Sequence, residues 1–484
     1  MSLSSAISTA QSSLSNYSTQ TSLLSRNISN ASNPDYSRRS ASLATSSAGA
    51  QVVSIQRAQD QILLEKTVSS TATASGQNAL LDGLANLKDI MGGNDYESAP
   101  ATLISSMRDT LATYAAKPGE STLAQTAVAD ATTVALGLRD ASAAVQNVRL
   151  GADQEIGRQV HTLNELLSQF EEANTNVYRG TQLGKDVSAD LDQRDSVLKK
   201  ISEIIGVTSV TRSGNDVALY TNDGTTLFET VARPVTFEAS PGFAAGIEGN
   251  AIYVDGVPLA AGQGATTTAR GSLQGLMQIR DEYAPALQSQ LDEIARALVV
   301  TFAEKDQSGG LPDQPGLFTW SGGTMPGGTM VPGIAATIKV NPALVPSAGG
   351  NPQLLRDGGI NGAAYIANTT GAAGFTSQLD AYVVALGTPM TFDAAAGLDT
   401  SASVLDFAAD SVGWLELNRS EASAASETRE ATRFRAVEAH SNATGVSLDE
   451  EMSMLLELEQ SYKASARIIS VVDEMLRSLL AAVG

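Results

Sequence analysis

No cysteine occurs in this chain, so neither a disulfide frame nor thiolate metal ligation is available to it. Histidine is almost missing as well. The two that occur, His161 and His440, fall inside helical patterns without an acidic or Ser neighbour at a useful spacing. That argues against a His-based triad or metal cage and for solvated or packed rings. Basic residues are scarce, 31 against 52 acidic ones, for a net charge of -21. Such a chain repels nucleic acid and anionic lipid and gains nothing from counterion release. No apolar run approaches the ~20 residues of a membrane span, so membrane insertion is not expected. The first 25 residues carry no charged side chain, unlike the basic start of a cleaved secretory signal. The chain is therefore expected to stay in the cytoplasm or to leave by a route that ignores such signals. The Gly clusters fit neither a Walker loop nor G-x-G-x-x-G, and the Asp-rich turns lack a calcium-loop pattern. No two carboxylates stand in a recognisable catalytic frame. The mixed charges from Glu427 to Glu438 read as a solvated helix face with weak ion pairs. No catalytic residue, cofactor or metal site is expected, and the sequence does not read as an enzyme.

What remains is a chain rich in Ala, Ser and Thr. It is 42% hydrophobic but only 5% aromatic, a balance suited to long helices in slender bundles rather than one thick globule. Its 484 residues allow roughly two to four domains, and an elongated molecule is expected. At the start, Leu3, Ile7, Ala10, Leu14, Tyr17, Thr21, Leu24 and Ile28 alternate steps of four and three, a heptad seam. The other face is Ser, Thr, Gln and Asn, of middling or poor helix propensity, so this helix needs a partner. One stands at the far end. Ser447 and Glu450 form a capping box, and Asp449, Glu450 and Glu451 suit the positive end of a helix. Leu455, Leu458, Tyr462, Ser465, Ile469, Val472, Leu476 and Leu479 then repeat the seam. The termini are expected to form a coiled coil, antiparallel or parallel. Met452, Met454, Leu456, Ile468, Met475 and Leu480 widen the apolar strip beyond what two helices require. Other subunits could cover the surplus; the plainer alternative is that both helices dock on the chain's own core.

Between the termini, leucine spacing predicts helices ending at Gly92-Gly93 and at Lys117-Pro118-Gly119. A much longer one runs from about Ser121 to Tyr178, with a stutter of the repeat near Ala152, and another covers 191–205. From Val207 short alternating runs take over, with a hairpin signal at Asn222-Asp223-Gly224. The fold class is mainly α with inserted β. A terminal coiled-coil domain takes 1–33 and 445–484, and a discontinuous elongated helical bundle takes 34–206, 269–305 and 401–444. A β domain is inserted at 207–268 and should project from the bundle. Residues 306–400 read as an irregular Gly/Pro-rich excursion or a second small β module.

The stretch ISNASNPDYSRR (28–39) resembles the N-terminal signature of the flagellar rod, hook and hook-associated axial proteins, in which an Asn/Ala helix ends at a Thr-Pro-Gly-Tyr-like turn. Tyr36, Ser37 and Arg38 match the Tyr-Ser-Arg of junction-type members. The closing GVSLDEEMSMLLELEQSYKASARIISVVDEML (445–476) is similar to the family's last helix. LDQRDSVLKKISEIIGV (191–207) and GSLQGLMQIRDEYAPALQSQLDEIARAL (271–298) look like bundle helices of junction-type members. Asp35 departs from the family's usual Gly, a substitution that Asp tolerates better than most residues in a turn.

This resemblance implies a structural adaptor that polymerises as a ring or short helical layer between hook and filament and is required for filament assembly. It implies an extracellular, flagellar location reached by type III export without signal cleavage. The partners it implies are the chain itself, the hook protein, a second junction protein towards the filament, and a cytoplasmic export chaperone on the C-terminal helix. The assembly residues are then Leu3, Ile7, Leu14, Leu24, Ile28, Leu455, Leu458, Tyr462, Ile469, Val472, Leu476 and Leu479. Asn33, Pro34 and Tyr36 would turn the chain from an inner tube towards the bundle. Two other classes stand against it: a coiled-coil adhesin or phage tail-like structural protein, and a wall-glycan hydrolase, which would need a cleft with perturbed carboxylates.

Overall fold

The structure, a computed structural model, describes residues 3–46 and 49–483. Helix α1 (Leu3–Ser29) is followed by an antiparallel hairpin of β1 (Arg39–Ser46) and β2 (Gly49–Arg57). Then come α2 (Gln61–Ile90), α3 (Pro100–Ala116), α4 (Ser121–Gln182) and α5 (Ser188–Ile204). The β region holds two small antiparallel sheets. One joins β3 (Val207–Thr211), β4 (Val217–Thr221) and β5 (Thr226–Phe228); the other joins β6 (Val235–Thr236), β7 (Tyr253–Val254) and β8 (Val257–Pro258). Helix α6 (Ser272–Gln278) passes through one π-helical turn (Ile279–Tyr283) into α7 (Ala284–Thr301). The Gly/Pro-rich segment carries β9 (Phe318–Thr319), α8 (Ile334–Thr337), β10 (Lys339–Val340), α9 (Leu354–Asp357), α10 (Ser377–Leu386), β11 (Met390–Thr391) and β12 (Ser401–Ala402). Helices α11 (Val404–Thr444) and α12 (Leu448–Val483) close the chain. The fold is mainly α with small inserted β regions, and among the described residues no helix is long and apolar enough to cross a membrane.

Local chemistry sets the helix boundaries. Asp60 accepts a hydrogen bond from Leu63 N at 3.0 Å to open α2, Pro100 occupies the first turn of α3, and Ser403 accepts from Asp406 N at 3.1 Å to open α11. Each supplies or spares one of the unpaired N–H groups of a first helical turn. At α12 only half of the expected capping box is made: Glu450 N donates weakly to Ser447 Oγ at 3.5 Å.

Helix α4 has 62 residues, and at ~1.5 Å per residue it spans roughly 93 Å. It runs through two separate cores. Its first half (Val134, Leu138, Val145) packs with Leu80, Leu84 and Leu87 of α2 and with α3, α7 and α11. Its second half (Ile156, Leu163, Phe170) packs with Leu64 and Val68 of α2, with α5 and with both β sheets. The crossover lies where the heptad pattern stutters. The helix continues unbroken there, and the Asp153 carboxylate meets Arg280 of the π turn at 2.6 Å with both side chains buried. The change of spacing marks a change of partner, not an interruption of the helix.

Several expectations need correction. The span 34–206 is not wholly helical, because Ser/Ala-rich residues 39–57 form the hairpin; their composition suits either structure, and packing against α1 selects strand. Residues 306–400 are not a separate module. Phe318, Ile334, Leu344, Leu355, Leu379 and Phe392 belong to the first bundle core, with Phe302–Phe318 edge to face at 5.4 Å and Phe392 stacked on Phe407 at 3.9 Å. Buried carboxylates of and just beyond α7 fasten this segment. Asp292 accepts from Gly333 N and Ala335 N, each at 2.9 Å, and Glu304 from Ile360 N and Asn361 N at 2.9 and 2.8 Å. Finally, His161 does have an acidic neighbour: Glu165 lies 3.2 Å away across one helical turn on an exposed face.

The β region does not stand free of the bundle either, since Leu219, Phe228, Val235 and Ile252 bury themselves against α4 and α5. Its Asn222-Asp223-Gly224 turn forms as the sequence signals, with Gly224 at φ +88°.

Candidate assembly joint

Helices α1 and α12 pack antiparallel. Asn27 bonds to Glu451, while Tyr17, Ser18 and Thr21 share a 440 Å³ cavity with Leu455, Leu458 and Tyr462, so positions descend on one helix as they ascend on the other. Of the residues named from the heptads, Leu24, Leu458 and Val472 are buried, and Ile7, Leu14, Ile28, Leu455 and Ile469 are half-buried. Tyr462 and Leu476 are exposed. The side chains of Leu3 and Leu479 lie outside the described ones. Met452, Met454, Leu456, Ile468, Met475 and Leu480 of α12 are all exposed, as is Val471, leaving apolar side chains uncovered beside the seam with α1.

The seam converges on a polar joint that the heptads do not announce. Glu451 sits at the heptad position before Leu455 and Leu458, yet it is fully buried. Its carboxylate accepts from Arg38 Nε at 2.6 Å and from Asn27 Nδ2 at 2.8 Å. Asn27 Oδ1 in turn accepts from the Tyr36 hydroxyl at 2.8 Å. The turn itself is tied to its neighbours by backbone: Tyr36 N donates to Asn33 O at 3.1 Å, and Arg38 N to Thr444 O at 2.8 Å. Asn33 and Pro34 are exposed and Tyr36 is half-buried, with Arg39 stacked over its ring at 4.9 Å.

On the bundle side α5 supplies the counter-charges. Asp192 accepts from Arg57 Nε at 2.7 Å and Arg39 Nη2 at 3.0 Å, and Asp195 accepts from Arg57 Nη2 at 2.7 Å. Burial disfavours the Arg57 charge, but Asp195 and Asp192 outweigh it and raise its pKa. Burial also raises the Tyr36 hydroxyl, so the ring stays neutral and free to donate to Asn27. Asp35 is not among the residues at positive φ, so it is unstrained where the family has Gly. It serves as a tether, accepting from Ser196 Oγ at 2.8 Å and facing Lys199 Nζ at 3.4 Å.

A 520 Å³ polar cavity lies among the turn, Arg57, Lys199, His440 and the α11–α12 connection. Burial, then the nearby Lys199 charge, lowers the His440 pKa. The carboxylates of Asp35, Asp192, Asp195 and Glu451 are each engaged by an arginine, lysine or hydroxyl, and no group of three metal-binding side chains occurs among the described residues. Such an arrangement holds helices in place rather than transforming a substrate.

Sequence reasoning missed Asn16, Leu23, Asn27, Arg39, Arg57, Asp192 and Asp195, and it named Arg38 only as a signature residue and Glu451 only as a helix-start acid. A signal did exist for the α1 members: positions 16, 23 and 27 form a second seven-plus-four stripe, and Asn16, Leu23 and Asn27 are all buried. Two of the three are polar, so a search for apolar periodicity passes over them.

Two family models match the chain. The one described as the flagellar hook-associated protein FlgK helical domain covers residues 84–317, and that of the flagellar basal body rod FlgEFG protein C-terminal region covers residues 438–482. Flagellar hook-associated protein 1 of Bacillus subtilis (strain 168) is 24% identical over 522 residues, spanning 99% of this chain and 98% of its own length. A solved structure of the flagellar hook junction protein FlgK from Burkholderia pseudomallei aligns with a TM-score of 0.43 at 21% identity, over 53% of this chain and 47% of that one.

Proposed function

The chain belongs to the family of flagellar hook-associated protein 1, and from that premise we infer how its parts serve the junction. Its role is structural, at the joint between hook and filament of the bacterial flagellum, in association with hook and other axial components. It is not an enzyme.

The finer reading rests on one observation, the uncovered apolar strip of α12 on a coil whose base is locked to the bundle. Fully burying one such side chain contributes roughly 1.5–3 kcal/mol, so covering several half-exposed ones contributes on the order of 5 kcal/mol per subunit. A neighbouring copy meets this need in a ring or short helical layer, with the hook protein on one side and a second junction protein towards the filament. Before export, a cytoplasmic chaperone covering the same strip would keep it from aggregating. The chain then reaches its extracellular place without signal cleavage. The terminal coil (1–33 and 445–484) is the inner, polymerising part, and Asn33, Pro34 and Tyr36 carry the chain outwards to the bundle and its β region.

Deleting residues 455–480 tests this in the bacterium that encodes the chain. Hooks without filaments and flagellin shed into the medium are expected, while the purified truncated chain keeps its helical circular dichroism. Filaments assembled normally on hooks by the truncated chain would refute it.

A further inference from the structure

The hairpin and α1 meet through two asparagines that act like pieces of strand. Asn27 Nδ2 donates to Arg39 O at 2.9 Å, and its Oδ1 accepts from Arg39 N at 3.2 Å. Eleven residues earlier, Asn16 Oδ1 accepts from Val52 N at 3.1 Å and its Nδ2 donates to Ala50 O. Ser12 Oγ adds a bond to Ala50 O at 3.1 Å. Each carboxamide gives the hairpin backbone one donor and one acceptor, as a neighbouring strand would.

The spacings agree. Eleven helical residues return to within ~20° of the same face and span ~16.5 Å. Ala50 and Val52 lie opposite Thr45 and Leu43, on average about five residues beyond Arg39, which at ~3.3 Å each is again ~16.5 Å. Hairpin and helix therefore run side by side over this length, with one register shift in the hairpin between Ser42 and Leu43. At its base the hairpin is fixed to α5 through Arg39 and Arg57 on Asp192 and Asp195. Coil and bundle are also joined by the turn after α1 and by Gly445-Val446-Ser447 before α12. These are tied down at the foot of the coil, by Asp35 on Ser196 and Lys199 and by Arg38 N on Thr444 O, which leaves the tilt of the coil above its foot to the hairpin.

The geometry points to the hairpin as a brace: held on α5 at its base and on α1 by Asn16 near its tip, it fixes the angle at which the terminal coil leaves the bundle. This property belongs to the single chain and stands apart from its junction role.

The lack of cysteine makes the test clean. In the full chain, spin labels on Arg467→Cys in α12 and Thr162→Cys in α4, both exposed positions, report the distance between coil and bundle. Asn16→Ala should broaden that distribution at least twofold and speed amide exchange at Val52 at least tenfold, with the unfolding midpoint of the bundle unchanged. Alanine is the better helix former, so α1 itself is not weakened. Val52→Pro removes the same hydrogen bond from the hairpin side, leaves the α1 sequence intact, and should broaden the distribution equally. A distribution as narrow as the parent's in both variants overturns the proposal, as does an unchanged Val52 exchange rate in Asn16→Ala.

Discussion

Asp192 shows what decides the joint at the level of single residues. Arg39 and Arg57 both spend their charge on it, and all three side chains are nearly buried. Removing one partner of such a set strands the others without water, which typically costs 3–5 kcal/mol. The Lys463–Glu459 pair on the outer side of α12 is solvated on both sides and belongs to the class that contributes little. His440 faces the same joint, with Lys199, Arg57, Asp195 and Asp60 as its charged surroundings. Its pKa is lowered on folding, so the unfolded chain binds the proton more readily. Its contribution to stability is thus fully present above the ordinary value of about 6.5 and is lost as pH falls below that through the folded value. Urea midpoints taken from pH 7.5 down to 5 should fall more steeply for the parent than for His440→Gln. Parallel curves would remove His440 from the account. None of these pairings was legible in the sequence, because Arg38 and Arg57 at the base of the hairpin, Asp192 of α5 and Glu451 of α12 come from three distant stretches and only the fold brings them within hydrogen-bonding distance.

Elements were far easier to read. The leucine repeats of α2, α3, α4 and α5 are long and regular, and their stops carry Gly or Pro, so a single period suffices to place them. The hairpin escaped for the opposite reason. Ser, Ala and Thr alternate weakly in 39–46, so the strand has little apolar face of its own and depends on α1. The contact between α2 and the π turn is likewise invisible before folding. A methyl group on Gly83 would stand 2.2 Å from Ile279, whereas one on Gly151 in α4 meets nothing within 4 Å. Gly83→Ala should therefore destabilise the bundle by about 1–3 kcal/mol through overpacking. Gly151→Ala, gaining only helix propensity, should stabilise it by up to about 1 kcal/mol. Chemical denaturation of the two variants side by side checks both; a neutral Gly83→Ala would mean that Ile279 moves aside freely.

At the scale of the whole molecule, a charge of -21 opposes association of free chains, while the α12 strip favours it. Most of the strip's side chains are about half covered in the single chain, so repulsion should win in dilute solution. Light scattering at micromolar concentration and moderate salt should give a mass near 50.1 kDa. A stable trimer would instead favour the adhesin-like alternative. The placement of 306–400 is decided only at this scale. Its Gly- and Pro-rich composition suggests a loose excursion, but its scattered Phe, Leu and Ile side chains complete the core around α7.

By itself the sequence determined the helical period, the pairing of the two ends, the surplus apolar strip of α12 and the likeness of its terminal signatures to flagellar axial proteins. These follow from local spacing and residue type, which survive without knowledge of the fold. Tertiary structure alone decided the antiparallel sense of the coil, the division of α4 between two cores, the hairpin laid along α1 and the charged joint at Glu451 and Asp192. Each depends on contacts between separate elements, from the 12 and 36 residues that separate Asn27 from Arg39 and Asn16 from Val52 to the 424 between Asn27 and Glu451, and no local period encodes such pairings.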